Sequence, residues 1–172
     1  MGIDPPFVLV APGHPSLDGA LGRFCDELRA EPRWFGRKAN HAARPSAVLV
    51  RRLAADGPAI RLAAVSDGEL IGLARIDLGG PSSDVRSLGS HGGAELLVAV
   101  AAPWRRMGVA LALGREVVAR AHVIGIPRIV MRTSYRGAEL RELGASLGFQ
   151  VVDLGQGRID LVRMLTPDRQ TA

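Results

Sequence analysis

The chain has 172 residues, 47% hydrophobic and 23% charged, which suits one globular domain with a core and leaves too little for two. Its 22 Lys+Arg stand against 17 Asp+Glu, a net charge of +5, and Lys38 is the only lysine. No apolar run approaches the roughly 20 residues of a bilayer span. Residues 1–6 show neither a signal-peptide pattern nor a Ser or Thr at position 6 for myristoylation, and the lone Cys25 forbids an internal disulfide. A cytoplasmic protein without a membrane partner is expected.

The arginines are scattered from Arg23 to Arg169, with no basic run and with aromatics at only 4%. Nucleic-acid surfaces interleave cations with stacking aromatics, so this pattern fits solvated arginines on a domain that binds a polyanionic ligand better than it fits nucleic-acid binding.

In chain order, residues 7–11 form a short apolar run closed by Pro12-Gly13, a first strand. Ser16 can cap a helix on which Leu17, Leu21, Phe24, Cys25 and Leu28 recur at helical spacing, placing Cys25 in the core. Trp34 and Phe35 open a second helical region carrying Arg37, Lys38 and Arg44, and Ser46 can cap a further turn or two through Leu53, ending near Asp56-Gly57-Pro58. Residues 60–65 and 70–78 flank Ser66-Asp67-Gly68-Glu69 and read as a hairpin. The polar, glycine-rich stretch 79–93 is a long loop of the kind that serves function or moves.

Residues 95–100 read as a strand and 107–124 as a helix, with Val109, Leu113, Val117 and Ala121 on its apolar side and Gly125-Ile126-Pro127 ending it. A strand over 128–132, a helix over 137–147 closed by Gly148-Phe149, and strands over 149–154 and 158–165 joined across Gly155-Gln156-Gly157 complete the pattern. Residues 166–172 form a polar tail. The order is β-α-α-β-β-β-α-β-α-β-β in a single domain, without repeats.

The most informative segment runs from Ala94 to Ala110, where an apolar strand passes through Pro103, Trp104 and a basic pair into a helix. Such a turn offers unpaired N–H groups and the positive end of a helix dipole to an anion. The N–H groups of Arg106, Met107, Gly108, Val109, Ala110 and Leu111 supply fixed donors, and the glycine lets the backbone come close. Arg105 or Arg106 adds a charge-assisted contact.

This segment, Arg105-Arg106-Met107-Gly108-Val109-Ala110, resembles the Arg/Gln-x-x-Gly-x-Gly/Ala pattern of the GNAT superfamily of acyl-CoA-dependent N-acyltransferases, which cradles the coenzyme A pyrophosphate. Gly148-Phe149 and the element order extend the likeness over nearly the whole chain. A closer likeness is to the GNAT domains of bacterial protein lysine acetyltransferases. It rests on Trp34-Phe35 ahead of a basic region, the phrase from Leu62 to Arg75, and Glu95 placed ahead of Trp104. The resemblance implies an α/β GNAT fold: a mixed, mostly antiparallel sheet of six to seven strands flanked by helices and splayed between its fourth and fifth strands.

It also implies acetyl-CoA as co-substrate, with the backbone of Val98, Ala99 and Val100 bonding the pantetheine arm and thioester oxygen where a bulge splays the strand. An amine of pKa about 10.4 is mostly ammonium at neutral pH and only its neutral form attacks a thioester. The resemblance assigns Glu95 as the general base that takes this proton, directly or through a water. Without it, Glu95 reads as a rim carboxylate paired to an arginine.

Many family members place a tyrosine about five residues before the final Gly-Phe to protonate the leaving sulfur. Here Gly144 stands at that place, with Ser134 and Tyr135 at a strand end as substitutes if the loop turns inward. His14, His41, His91 and His122 lack metal-ligand spacing, so no metal is expected. The expected activity is acetyl transfer to a primary amine, a protein lysine ahead of a small-molecule amine. A non-catalytic acyl-CoA-binding regulatory module is the alternative from another class.

Overall fold

The computed structural model describes residues 6–11, 17, 19–30, 43–78, 94–134 and 138–165. Seven strands, β1 (Val8–Val10), β2 (Ala59–Ser66), β3 (Glu69–Asp77), β4 (Ala94–Val100), β5 (Arg128–Ser134), β6 (Gln150–Gly155) and β7 (Arg158–Met164), form one sheet in the order β1-β2-β3-β4-β5-β7-β6. Among the described residues four α-helices accompany them: α1 (Ala20–Ala30), α2 (Ala43–Ala54), α3 (Val109–Val123) and α4 (Ala138–Ser146). Every neighbouring pair is antiparallel except β4 and β5. A parallel pair cannot be closed by a tight turn, and α3 supplies the crossover.

Alternation along β4 divides the core. Ala94, Leu96 and Val100 pack with Val109, Leu113 and Val117 of α3, while Leu97, Ala99 and Ala101 pack with Phe24 and Leu28 of α1 and Val50 and Leu53 of α2. Cys25 is buried in the second cluster, as its helical spacing predicts. Each helix thus covers one face of the sheet with its apolar stripe.

The strand–helix order follows the sequence reading, with differences at the ends. The helix expected to start at Ser46 begins at Ala43, because Pro45 falls in the first turn, where the N–H it lacks has no intrahelical acceptor. The helix expected from Met107 begins at Val109, since Arg106 and Gly108 take the left-handed conformation at φ +63° and +81°. Ser16, Trp34, Phe35, Lys38, the 79–93 loop with His91, Tyr135 and the tail lie outside the described residues.

The sheet parts between β4 and β5. Only Ala94↔Ile129 and Glu95↔Val130 are in register, whereas β4 pairs with β3 from Asp77↔Glu95 through Gly72↔Val100. The bulge expected in β4 is not what opens it. The β3–β4 register is continuous, and the irregularity lies between β2 and β3 at Ala64/Val65. The parting shows only in the β4–β5 register, which stops after Glu95↔Val130 while both strands run on.

Candidate functional site

From Leu96 to Val100 the side of β4 that faces away from β3 has no strand partner among the described residues. Unpaired strand backbone is a ready hydrogen-bonding surface for an extended ligand. On these positions Ala99 and Val100 are buried and Val98 is partly buried, so their side chains pack; the Ala101 N–H faces β3, so by alternation Ala99 turns its backbone to β3 while Val98 and Val100 turn theirs to the parting.

The chain leaves β4 through Ala101, whose N–H donates to Ile71 O at 2.9 Å, and a single 3-10 turn at Ala102–Trp104. Trp104 packs against both core clusters and fixes the corner. Arg105 then turns inward: its Nε donates to Val100 O at 3.1 Å. Of the two arginines considered for an anion, Arg105 holds the strand end and Arg106 stands exposed.

Gly108 caps α3 without any side-chain hydrogen bond, and the first intrahelical bond of the turn is Ala112 N–H to Gly108 O at 2.9 Å. The N–H groups of Val109, Ala110 and Leu111 therefore precede the helix's own bonding pattern. Val109 is buried, Ala110 and Leu111 are partly buried, and Met107 is half exposed. This turn follows the open edge of β4 in the chain, so amide donors and strand edge succeed one another within a few residues.

Glu95 sits where the strands part. It is buried at 8% exposure, and each carboxylate oxygen meets a guanidinium: Oε1 is 3.0 Å from Arg52 Nη1 of α2, and Oε2 is 3.5 Å from Arg132 Nη1 of β5. Arg52 also donates to Asp77 Oδ2 at 2.7 Å, and Arg75 bonds Asp77 Oδ1 and Ala55 O. Burial opposes the charge of Arg52, yet its hydrogen bonds to Glu95 and Asp77 hold the guanidinium above its ordinary range. The pairing of Glu95 to arginine is the one weighed from sequence, in a buried rather than a rim setting.

Arg52, Asp77 and Arg132 escaped the sequence reading. The signal was there: Arg75, Asp77 and Arg132 interrupt apolar strands at alternate positions, so they share one sheet face with Glu95. At Gly144, a Cβ would lie 2.7 Å from Leu161 Cδ1, so a side chain where the family tyrosine was sought would have to displace Leu161. Ser134 ends β5, and its side chain lies outside the described atoms, like Tyr135. Among the described residues, no three His, Cys, Asp or Glu side chains converge as metal ligands. None of the described helices is long and apolar enough to cross a membrane.

A search of curated proteins returns no match. Among solved structures the chain is similar to the PaiA N-acetyltransferase of Thermoplasma acidophilum in complex with coenzyme A, at 13% identity and TM-score 0.67, covering 92% of this chain and 98% of that one. It is similar to the GNAT domain of S. lividans PAT at 21% identity and TM-score 0.63, over 92% and 89% of the two chains. A GNAT-family acetyltransferase from Streptococcus pneumoniae superposes at 14% identity and TM-score 0.64, over 92% and 99%. At these identities the likeness establishes the fold. Residues 23–149 match the acetyltransferase (GNAT) family, most of the chain including the open strand and the turn into α3. The chain belongs to the GNAT acetyltransferase family.

Proposed function

We propose that the protein moves an acetyl group from acetyl-CoA to a primary amine by direct attack in a ternary complex, and that the acceptor is a protein lysine. The observation that carries this is the open edge of β4 running into the uncapped first turn of α3. The amides from Arg106 through Leu111 hold the diphosphate, with Arg106 as the exposed cation beside it. Of Val98, Ala99 and Val100, it is the backbone of Val98 and the N–H of Val100 that bond the pantetheine arm and polarise the thioester carbonyl.

Glu95 accepts the ammonium proton. Both of its oxygens face a guanidinium, so one contact must open, and the 3.5 Å contact to Arg132 is the looser. The freed amine lone pair forms the C–N bond, the C–S bond breaks, and the thiolate departs with the electron pair. With Gly144 closed against Leu161, solvent protonates that sulfur. The lysine acceptor is supported by the shared fold with PAT, a Streptomyces lividans protein acetyltransferase.

The test is thiol release from acetyl-CoA against a panel of amines and lysine-bearing proteins. Glu95→Gln should lower kcat about a hundredfold or more, the usual contribution of a positioned base, while coenzyme A affinity by calorimetry stays within about twofold. Unchanged turnover removes Glu95 as the base. Absence of coenzyme A binding removes the whole reading.

A further inference from the structure

Resting on the transfer reading above, we infer that Arg52 and Asp77 are positioning residues for Glu95. Asp77 fixes the guanidinium of Arg52, Arg52 fixes Glu95 Oε1, and Oε2 is left as the oxygen that takes the amine's proton.

The two oxygens of Glu95 are held unequally. Oε1 lies 3.0 Å from Arg52 Nη1, within hydrogen-bond distance, whereas Oε2 lies 3.5 Å from Arg132 Nη1, too long for a firm hydrogen bond. Asp160 of β7 stands opposite Arg132 in register, so a carboxylate other than Glu95 neighbours that guanidinium on the same side of the sheet. Arg132 can therefore leave Oε2 without stranding its charge.

Arg52 has no such freedom. Its Nη2 donates to Asp77 Oδ2 at 2.7 Å, and Asp77 is the cross-strand neighbour of Glu95. The other oxygen of Asp77 accepts from Nε of Arg75, a buried residue that also donates to Ala55 O, just past the end of α2. Arg61 donates to the same carbonyl. A continuous chain of contacts thus runs from the end of α2 through Arg75, Asp77 and Arg52 to one oxygen of the base.

A flat fork with two terminal nitrogens holds two carboxylates side by side at fixed angles; an ammonium on a flexible stem supplies the charge without the angle. A general base acts within about 2.6–3.2 Å of its proton, and a displacement of about 1 Å can cost a hundredfold in rate. With Oε1 pinned, rotation of the carboxylate is restrained, and the acceptor's ammonium meets Oε2 as Arg132 withdraws. The proton moves from nitrogen to Oε2, leaving a neutral amine and a neutral carboxyl group.

The experiment is a double-mutant cycle. Arg52→Lys and Asp77→Asn are each made in the wild-type chain and in Glu95→Gln. Thiol release from acetyl-CoA, with the amine of the panel above that reacts fastest, gives kcat and KM, and calorimetry gives coenzyme A affinity. In the wild-type background each variant should lower kcat at least about tenfold, with KM and coenzyme A affinity held within about threefold. In the Glu95→Gln background the same substitutions should change kcat by less than about threefold, because the group they align no longer takes a proton. Arg52→Lys keeps the cation, so its loss of rate separates the angle of the fork from its charge.

A smaller loss of kcat in either variant of the wild-type chain overturns the inference. So does a larger loss in the Glu95→Gln background, the result of a purely structural tie between α2 and the sheet. Each variant decides the matter alone if the other folds poorly. Full turnover in Glu95→Gln removes the base and its alignment together. A slow Glu95→Gln with additive losses keeps the base and removes only Arg52 and Asp77 from its support. A wild type without thiol release overturns both.

Discussion

Asp77 and Glu95 are direct neighbours across β3 and β4, and like charges in such a pair repel. Arg52 resolves the conflict by bridging them, and in doing so ties α2 to the sheet. Arg61 shows the opposite balance: burial, and then the adjacent Arg75, pull its guanidinium below the ordinary range. Arg52→Leu should strand two carboxylates together. A loss of about 3 kcal/mol is expected in urea unfolding, the low end for a buried pair because about a third of the Arg52 side chain is exposed. A loss under about 0.5 kcal/mol would mean that the bridge contributes little. Glu95 was legible as an acidic residue opening an apolar strand; its partners were not. They come from α2 and β5, and only sheet register and helix docking bring them within reach.

The corner between β4 and α3 couples local conformation to binding. Two left-handed residues separated by one, Arg106 and Gly108, reverse the chain so that the helix presents its first amides beside the strand edge. Glycine takes that conformation freely, while an L side chain costs about 1–2 kcal/mol. Gly108→Ala should therefore unfold about 1 kcal/mol more easily and bind coenzyme A about tenfold more weakly, read by calorimetry. Unaltered affinity would place the diphosphate elsewhere. Punctuation made these elements readable: apolar runs around Ser66-Asp67-Gly68-Glu69 revealed β2 and β3, an apolar run revealed β4, and Gly-Ile-Pro marked the end of α3. The start of α2 was not readable from its serine, because proline is tolerated in a helix's first turn. The parting of β4 from β5 left no mark of its own in the residues; it was expected through the family resemblance.

At the scale of the molecule, β1 to β4 come from one stretch of chain and β5 to β7 from another, and the two sets meet in register at two positions. Exchange of backbone amides should expose this. Protection should be highest in β2 and β3, lower where β5 meets β4, and raised there by coenzyme A. Uniform protection across the sheet would contradict it. The element order agreed with this arrangement, since the helix α3 between β4 and β5 allows them to pair in parallel, but the sheet itself was expected through the family resemblance.

The narrow junction has a wider consequence. Two blades that touch near one end stand like half-open tongs, joined by so little backbone pairing that, among the described residues, the rest of the inner edge stays unspent. An extended ligand laid between them would draw its hydrogen bonds from that edge as a further strand would.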